Sequence, residues 1–240
     1  MKMSQLSQIL VIDIETVSMY AEYTALNEAM QAHWQRKAAF LKLSEAEAND
    51  SALSYENRAG IYAEFGKIVC IGLGFIDQDH KTIRIKSLQN DDEAALLQEF
   101  IALVDKIALK NKELLFCGHN IKEFDLPYIC RRCAIHQIPL PASLQLSGLK
   151  PWQIHHIDTL ELWRFGDHKH YTALDLLAQI LKVPSSKTEM DGSEVGHAYW
   201  KEHKLEDIAR YCRNDIFTTA LVYLRLLNQD INSFTPSYVV

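Results

Sequence analysis

A run of aliphatic residues that ends in two acids is the feature that most constrains the fold of this chain. Residues 8–14 read QILVIDI, and Glu15 follows directly. An almost unbroken aliphatic and β-branched run of this length predicts a short buried strand. Because side chains alternate along a strand, Asp13 and Glu15 project to the same side. The fold must therefore place two neighbouring carboxylates at the end of a core strand.

Two interpretations of Asp13 and Glu15 are open from this segment alone. Like charges side by side in a core strand are costly unless something neutralises them. A hard divalent cation, which prefers oxygen ligands, would do so. Alternatively, both acids lie where the strand leaves the core, and they face water.

The segments that follow predict further strands and helices. Residues 19–66 contain many Ala, Glu, Gln and Met residues and predict a helical insertion with a polar stretch at 44–57. The segments 67–76 and 81–87 predict two strands, and the short loop between them suits an antiparallel hairpin. Downstream, the sequence predicts an N-cap at 90–92, strands at 113–118 and 155–159, and helices near 97–107, 126–136, 159–166, 173–182 and 203–228.

This order of elements predicts an α/β fold. Three strands that can pair antiparallel, followed by β-α-β crossovers, imply a mixed sheet flanked by helices. A length of 240 residues suits one domain that contains the insertion. No apolar run approaches the ~18 residues of a membrane span. The first residues also lack a signal-peptide cleavage site.

The cysteines predict reduced thiols. Five cysteines without secretory features indicate a cytoplasmic location. Cys130 and Cys133 form a C-x-x-C, but the sequence has no second pair with zinc-ribbon spacing. The motif also lies inside a helical pattern, so we interpret both as ordinary helix cysteines.

A second acid lies in mid-chain, in the segment GHNIKEFDLPYICRRC at 118–133. Asp125 follows a predicted strand and opens a helix, two residues before Pro127. Asp is a favoured N-cap and Pro is favoured in the first helical turn, so we expect Asp125 to cap this helix. A cap position leaves one carboxylate oxygen beyond the helix end, and a ligand role can coexist with it.

The late helical segment carries Tyr211 and Asp215. Residues four apart share one face of a helix, so their side chains lie together. An adjoining apolar stripe, which includes Ile208, Cys212 and Ile216, would bury the helix against the sheet. A Tyr and an Asp on a helix surface are common, and the pair alone specifies no site.

Taken together, the three motifs resemble those of the DEDD exonucleases, the DnaQ-like branch of the ribonuclease H-like fold. The motifs are D-x-E at 13–15, N-x-x-x-F-D at 120–125 and Y-x-x-x-D at 211–215. Members with His in the third motif carry it where this chain has Arg210, so the chain resembles the tyrosine subtype. The chain is similar to predicted stand-alone exonucleases related to the exonuclease domain of family B DNA polymerases. PSSKTEMDGSEV at 184–195, with YCRND after it, is similar to their pattern.

The resemblance implies hydrolysis of a terminal phosphodiester with release of nucleoside 5′-monophosphates from a 3′ end. It implies two Mg²⁺ or Mn²⁺ ions. Asp13, Glu15 and Asp215 would hold the ion that binds the attacking water, and Asp13 would bridge to the second ion. Asp125 would contribute through water. Tyr211 would orient the attacking water, since a phenol pKa near 10 makes a poor general base.

Several neighbouring residues are secondary candidates. By the same resemblance, Asn120 could bond the terminal sugar. Phe124 could pack on the last base or fill the core, and we favour the core. Lys187 could contact a phosphate or be solvated. Asp158 either supports the site or caps the helix at 159, and we assign no catalytic role to the histidines at 119, 155 and 156.

The expected partner is a nucleic acid with a free 3′ end, and we expect single-stranded DNA. The formal net charge of −6 is unfavourable for phosphate binding, so a substrate groove would be a local basic patch. The negative net charge does not exclude nucleic-acid binding, because bound cations reverse the charge of an acidic site. RNA remains an alternative substrate, as for ribonuclease D, because a 2′-hydroxyl is the only local difference. A non-catalytic nucleic-acid-binding module is the other alternative.

Overall fold

The computed structural model describes residues 3–167, 169–184 and 192–239, with side chains from residue 6 onward. Six strands form one mixed sheet in the order β5-β4-β1-β2-β3-β6. The strands are β1 Ile9–Ser18, β2 Gly66–Asp77, β3 Thr82–Gln89, β4 Leu115–Gly118, β5 Ile157–Asp158 and β6 Thr235–Tyr238. The helices are α1 Glu28–Ala38, α2 Glu45–Asn49, α3 Ser51–Arg58, α4 Glu93–Lys110, α5 Asp125–Ile135, α6 Thr159–Arg164, α7 Leu174–Ile180, α8 Val195–Trp200 and α9 Leu205–Leu226.

The pairing of the strands confirms the predicted mixed sheet. Strands β1, β2 and β3 pair antiparallel. Strand β4 pairs parallel to β1, and β5 pairs parallel to β4. Strand β6, which the sequence did not predict, adds parallel to β3 at the opposite edge. Its four residues TPSY contain a proline and lack an apolar alternation, so no strand pattern marks them.

Helices cover both faces of the sheet. On one face, α4 and α5 pack on the even-numbered residues of β1, represented by Leu10 and Ile12. On the other face, α7 and α9 pack on Ile9 and Val11. The odd-numbered face continues along β1 to Asp13 and Glu15, so both acids lie on the α9 side. Among the described residues, none of the helices combines the length and hydropathy that a membrane crossing requires.

The helical character of the insertion is confirmed, and its polar stretch is more ordered than predicted. Residues 45–58 form α2 and α3. Ser44 caps α2 in a reciprocal capping box with Glu47, a local pattern that satisfies backbone donors without apolar spacing. The insertion has a separate aromatic core, in which the Trp34 ring lies 5.5 Å from Tyr55 and 5.1 Å from Phe65. The insertion therefore has its own packed core and is not an irregular loop.

Candidate active site

The acids of β1 lie in the middle of the strand and not at its exit. β1 runs to Ser18, four residues past the predicted end, and Asp13 and Glu15 pair with Gly72 and Cys70 of β2. Asp13 is half-buried and Glu15 is buried. The interpretation in which both acids leave the core and face water is therefore wrong. The strand continues because Thr16 and Val17 remain paired with β2 after a bulge that follows Glu15.

Close packing of α9 on β2 brings Tyr211 and Asp215 to these acids. Gly72 lies directly opposite Asp13, and a Cβ there would come within 2.7 Å of both Cys212 Sγ and Ile216 Cγ1. Only a glycine allows the helix this close approach. Asp215 is buried on the face of α9 that meets the sheet. Tyr211 and Asp215 were predicted to share one face of a helix. That helix is α9, which packs against β1.

Asp125 has a different local role from the one predicted. It is the first residue of α5, and the cap position is Phe124, which makes no side-chain capping bond. Asp125 Oδ1 instead accepts a hydrogen bond of 3.1 Å from the backbone N–H of Ile14 on β1. The prediction of a simple helix cap is wrong, because the carboxylate is used between elements. This bond holds Asp125 against the backbone of β1 at Ile14, the residue that separates Asp13 from Glu15 in the sequence.

Asp158 organises the loop that carries Asn120 and leads to Asp125. Its Oδ1 caps α6 by accepting from Leu160 N–H and also accepts from Asn120 N–H, both at 2.9 Å. Its Oδ2 accepts from Lys122 N–H at 3.1 Å. Asn120 has a φ of 63°, a left-handed conformation that Asn tolerates. Both roles considered for Asp158 are therefore present, as helix cap and as support for the site loop.

A cavity of about 550 Å³ joins the predicted residues. Its lining includes all four acids and Tyr211, together with Asn120 and Phe124. Phe124 packs on the Tyr128 ring at 5.4 Å while it also borders the cavity, so the side chain is only partly in the core. Lys187 lies outside the described residues. His155 is exposed, whereas His156 is buried, accepts from Phe116 N–H and lies 2.8 Å from Ser143 O.

Crowding and burial raise the pKa values of the site. Burial, followed by the Asp125 and Asp215 charges, raises the pKa of Asp13 well above its usual range. Burial, followed by the Asp13 charge, does the same to the pKa of Glu15. Burial raises the pKa of Asp125 to about 7. Burial and the Asp215 charge raise the pKa of Tyr211, so its hydroxyl stays protonated at neutral pH.

The donor set fits a divalent cation. Among the described residues, Asp13, Glu15 and Cys212 form the group whose potential ligand atoms all lie within 4.8 Å of one another. Asp125 and Asp215 are not in that tight group, but they are close enough to raise the pKa of Asp13. A cluster of buried carboxylates that oppose one another's ionisation is stabilised by a positive ion with oxygen ligands.

Three residues of the site were missed by the sequence reasoning. Cys212 Sγ lies 3.6 Å from Asp13 Oδ2, although its spacing indicated only an apolar stripe. His119 lines the cavity and is held by Thr159 Oγ1 at 2.9 Å and Thr172 O at 2.8 Å. Tyr171 stands at the rim with 63% of its surface exposed. Its position depends on a contact with His119, 52 residues away in sequence, that no local pattern reveals.

Comparison with known proteins gives the family. A family model described as "Predicted 3'-5' exonuclease related to the exonuclease domain of PolB" matches residues 61–234. The structure of the family B DNA polymerase from the hyperthermophilic archaeon Pyrobaculum calidifontis aligns with a TM-score of 0.56 and 15% identity. The alignment covers 92% of this chain and 24% of the polymerase chain, so this chain corresponds to only part of that protein. A comparison with curated proteins found no match.

The structural likeness confirms the predicted ribonuclease H-like fold. The family match spans most of the chain and includes the second and third motifs, whereas Asp13 and Glu15 precede it. The structure joins these two acids to the matched segment through Ile14 N–H and Asp125. The chain belongs to the family of predicted 3′–5′ exonucleases related to the exonuclease domain of PolB.

Proposed function

We propose that the protein is a two-metal-dependent 3′–5′ exonuclease that shortens single-stranded DNA and releases nucleoside 5′-monophosphates. The observation that carries the proposal is the meeting of four acids, from β1, α5 and α9, at one cavity. Asp13, Glu15, Asp125 and Asp215 would hold two Mg²⁺ or Mn²⁺ ions. When bound, such ions activate water and stabilise the leaving 3′-oxygen. We propose that residues 1–240 act as one exonuclease domain.

The chain's own groups would orient the reactants. The bond from Ile14 N–H to Asp125 Oδ1 fixes the Asp125 carboxylate against the segment of β1 that carries Asp13 and Glu15. Cys212 Sγ, at 3.6 Å from Asp13 Oδ2, limits rotation of that carboxylate. Rigid placement of this kind lowers the reorganisation needed at the reacting phosphate.

Tyr211 would act as a donor that orients the attacking water. Its hydroxyl interacts with Asp215, and burial raises the pKa of the phenol, so the group retains its proton. A protonated phenol can donate a hydrogen bond but cannot remove a proton from water. This supports an orienting role and argues against Tyr211 as general base.

The substrate assignment rests on the family. Asn120 would bond the terminal sugar, and Phe124 would contact the last base, since both residues line the cavity. Lys187 remains a candidate for a phosphate contact. RNA is the alternative substrate, because these contacts do not by themselves read the 2′-hydroxyl.

The test is digestion of a 5′-labelled single strand with Mg²⁺, Mn²⁺ or EDTA. We expect stepwise shortening from the 3′ end with either ion and an intact strand in EDTA. Matched DNA and RNA strands identify the substrate, and faster digestion of RNA would replace the DNA assignment. Binding of the strand without shortening in Mn²⁺ would contradict the catalytic proposal and favour a binding module.

A further inference from the structure

A cysteine thiol lies next to the carboxylates of β1. Cys212 is fully buried on α9, and its thiol donates a hydrogen bond of 3.6 Å to Asp13 Oδ2. The potential ligand atoms of Asp13, Glu15 and Cys212 all lie within 4.8 Å of one another. This group therefore combines two kinds of metal ligand, the hard oxygen of a carboxylate and the softer sulfur of a thiol.

The surrounding backbone and a second thiol fix the position of the Cys212 sulfur. A Cβ at Gly72 would come within 2.7 Å of this sulfur, so the thiol packs directly on β2. The sulfur also lies 3.7 Å from the backbone oxygen of Asp13. A hydrogen bond links it to the thiol of Cys70, the residue opposite Glu15 on β2. A ligand that is already held in place needs little reorganisation before it binds a metal.

The distance between the sulfur and the carboxylate oxygen matches the geometry of a tetrahedral zinc ion. Zinc lies about 2.3 Å from a cysteine sulfur and about 2.0–2.2 Å from a carboxylate oxygen. At the tetrahedral angle, two such ligands are about 3.5 Å apart. Cys212 Sγ and Asp13 Oδ2 are 3.6 Å apart. A Zn²⁺ ion can therefore replace the thiol proton with little movement of either atom.

The presence of sulfur changes which cation the group favours. Mg²⁺ and Mn²⁺ prefer carboxylates, carbonyls and water, whereas thiolates favour Zn²⁺. Zn²⁺ also binds mixed oxygen and sulfur sites more tightly than Mn²⁺. The active-site cavity gives an ion from solvent access to Asp13 and Glu15, beside the thiol. Zn²⁺ thus gains a ligand that Mg²⁺ and Mn²⁺ use poorly.

We propose that Zn²⁺ binds to Asp13, Glu15 and the thiolate of Cys212 and thereby inhibits the protein. The inhibition rests on the proposed exonuclease function, whereas the binding does not. As the zinc–sulfur bond forms, the S–H bond breaks and its proton passes to solvent. Asp13 is then a zinc ligand and no longer bridges two ions, so the two-ion arrangement that the proposed hydrolysis needs does not form.

The test of binding is a titration with Co²⁺ in the absence of nucleic acid. Co²⁺ takes the same tetrahedral ligands as Zn²⁺, and a bound thiolate gives it a charge-transfer absorption band in the near ultraviolet. The variant is Cys212→Ser, and the matched control is Cys130→Ser, in which the new hydroxyl can keep the bond that the Cys130 thiol donates to Leu144 O. Cys130 also belongs to the C-x-x-C pair, so the control tests the rival pair of thiols.

We expect the band in the wild type and in Cys130→Ser, its removal by Zn²⁺, and no band in Cys212→Ser. Zn²⁺ affinity should fall by more than about tenfold in Cys212→Ser, since loss of even a supporting group of a metal site has an effect of this size. No band in the wild type, or a band that persists in Cys212→Ser, would overturn the proposal. So would a band that only Cys130→Ser loses. If Cys212→Ser does not fold, Cys212→Ala replaces it with the same expectation.

The test of inhibition is strand digestion at fixed Mn²⁺ with increasing Zn²⁺, and each rate is expressed relative to that of the same protein in Mn²⁺ alone. Zn²⁺ should slow the wild type and Cys130→Ser, and Cys212→Ser should need more than about tenfold more Zn²⁺ for the same slowing. Equal sensitivity of all three proteins would overturn the inhibitory role.

The zinc site and the exonuclease function fail in different ways. A wild type that gives the band but leaves strands intact in Mn²⁺ overturns the exonuclease function. A wild type that shortens strands in Mn²⁺ but gives no band with Co²⁺ overturns only the zinc site.

Discussion

Glu93 and the cluster of acids around Asp13 have opposite electrostatic surroundings. Glu93 is buried with Arg132, whose Nε donates to it at 2.9 Å, and His136 Nε2 lies 2.8 Å from the same carboxylate. Around Asp13, the charges that most affect its pKa are the carboxylates of Asp125 and Asp215. A buried acid that has its own cation holds α4 and α5 together. A group of acids that oppose one another's ionisation is suited to a cation from solution.

The largest expected effect is loss of activity when one site acid is removed. Asp215→Ala should abolish metal-dependent shortening of a labelled strand while the fold is retained, because it deletes one of the four proposed metal ligands at the cavity. Circular dichroism and strand digestion measure the two properties. Activity close to that of the wild type would remove Asp215 from the site.

For the paired acid Glu93, Arg132→Met should lower the free energy of unfolding by about 3–5 kcal/mol, because the substitution leaves Glu93 buried without its guanidinium partner. Urea denaturation measures this change. Lys204→Met is the matched control, because its ion pair with Glu202 is exposed to solvent and should change the free energy of unfolding much less. Equal effects of the two substitutions would contradict the distinction between the buried and exposed pairs.

Tyr211→Phe separates orientation from metal binding. Removal of the hydroxyl should slow turnover by about 10–100-fold, the range found for groups that position a metal site. Mn²⁺ affinity, measured by calorimetry, should stay unchanged because the four acids remain. An unchanged rate would exclude Tyr211 from the mechanism.

Asp13→Asn tests the crowding of the acids without any substrate. In EDTA the variant should have a higher Tm than the wild type, because the raised pKa of Asp13 reflects destabilisation of its charged form. The increase in Tm on addition of Mn²⁺ should disappear, because the variant lacks one ligand. A lower Tm in EDTA would indicate that the carboxylate stabilises the metal-free fold.

The smallest effect concerns the paired acid of the insertion. The Arg58 guanidinium, with Ser44, lowers the pKa of Glu47 from 4.5 to about 2. The stabilisation is complete above pH 4.5 and is lost as the pH falls toward 2, because the unfolded chain binds the proton first. Thermal unfolding of wild type and Glu47→Gln should therefore differ at pH 6 and converge as the pH approaches 2. A difference that grows on acidification would contradict the pairing.

The sequence predicted the elements whose pattern is local. The aliphatic run of β1 fixes the alternation that puts Asp13 and Glu15 on one side, and helical spacing pairs Tyr211 with Asp215. The six-residue helix α8 was not predicted, because it is too short for a clear apolar period.

Features that depend on distant contacts were not predictable. Asp125 was expected to cap its own helix, but Ile14 N–H, 111 residues away in sequence, is its partner. Cys212 lies at the site because Gly72 allows α9 to pack close to β2. The distance between a helix and a strand cannot be read from a sequence motif. The ion pair of Glu56 with Lys201, at 3.9 Å, likewise joins two residues that are far apart in sequence.

We propose that the acids of β1 serve metal-dependent cutting and not the stability of the fold. The most direct measurement compares wild type with Asp13→Ala on a 5′-labelled single strand in Mn²⁺, at equal concentrations of folded protein. We predict that the wild type shortens the strand from its 3′ end and that the variant leaves it intact. Digestion by Asp13→Ala at the wild-type rate would contradict the assignment of the site.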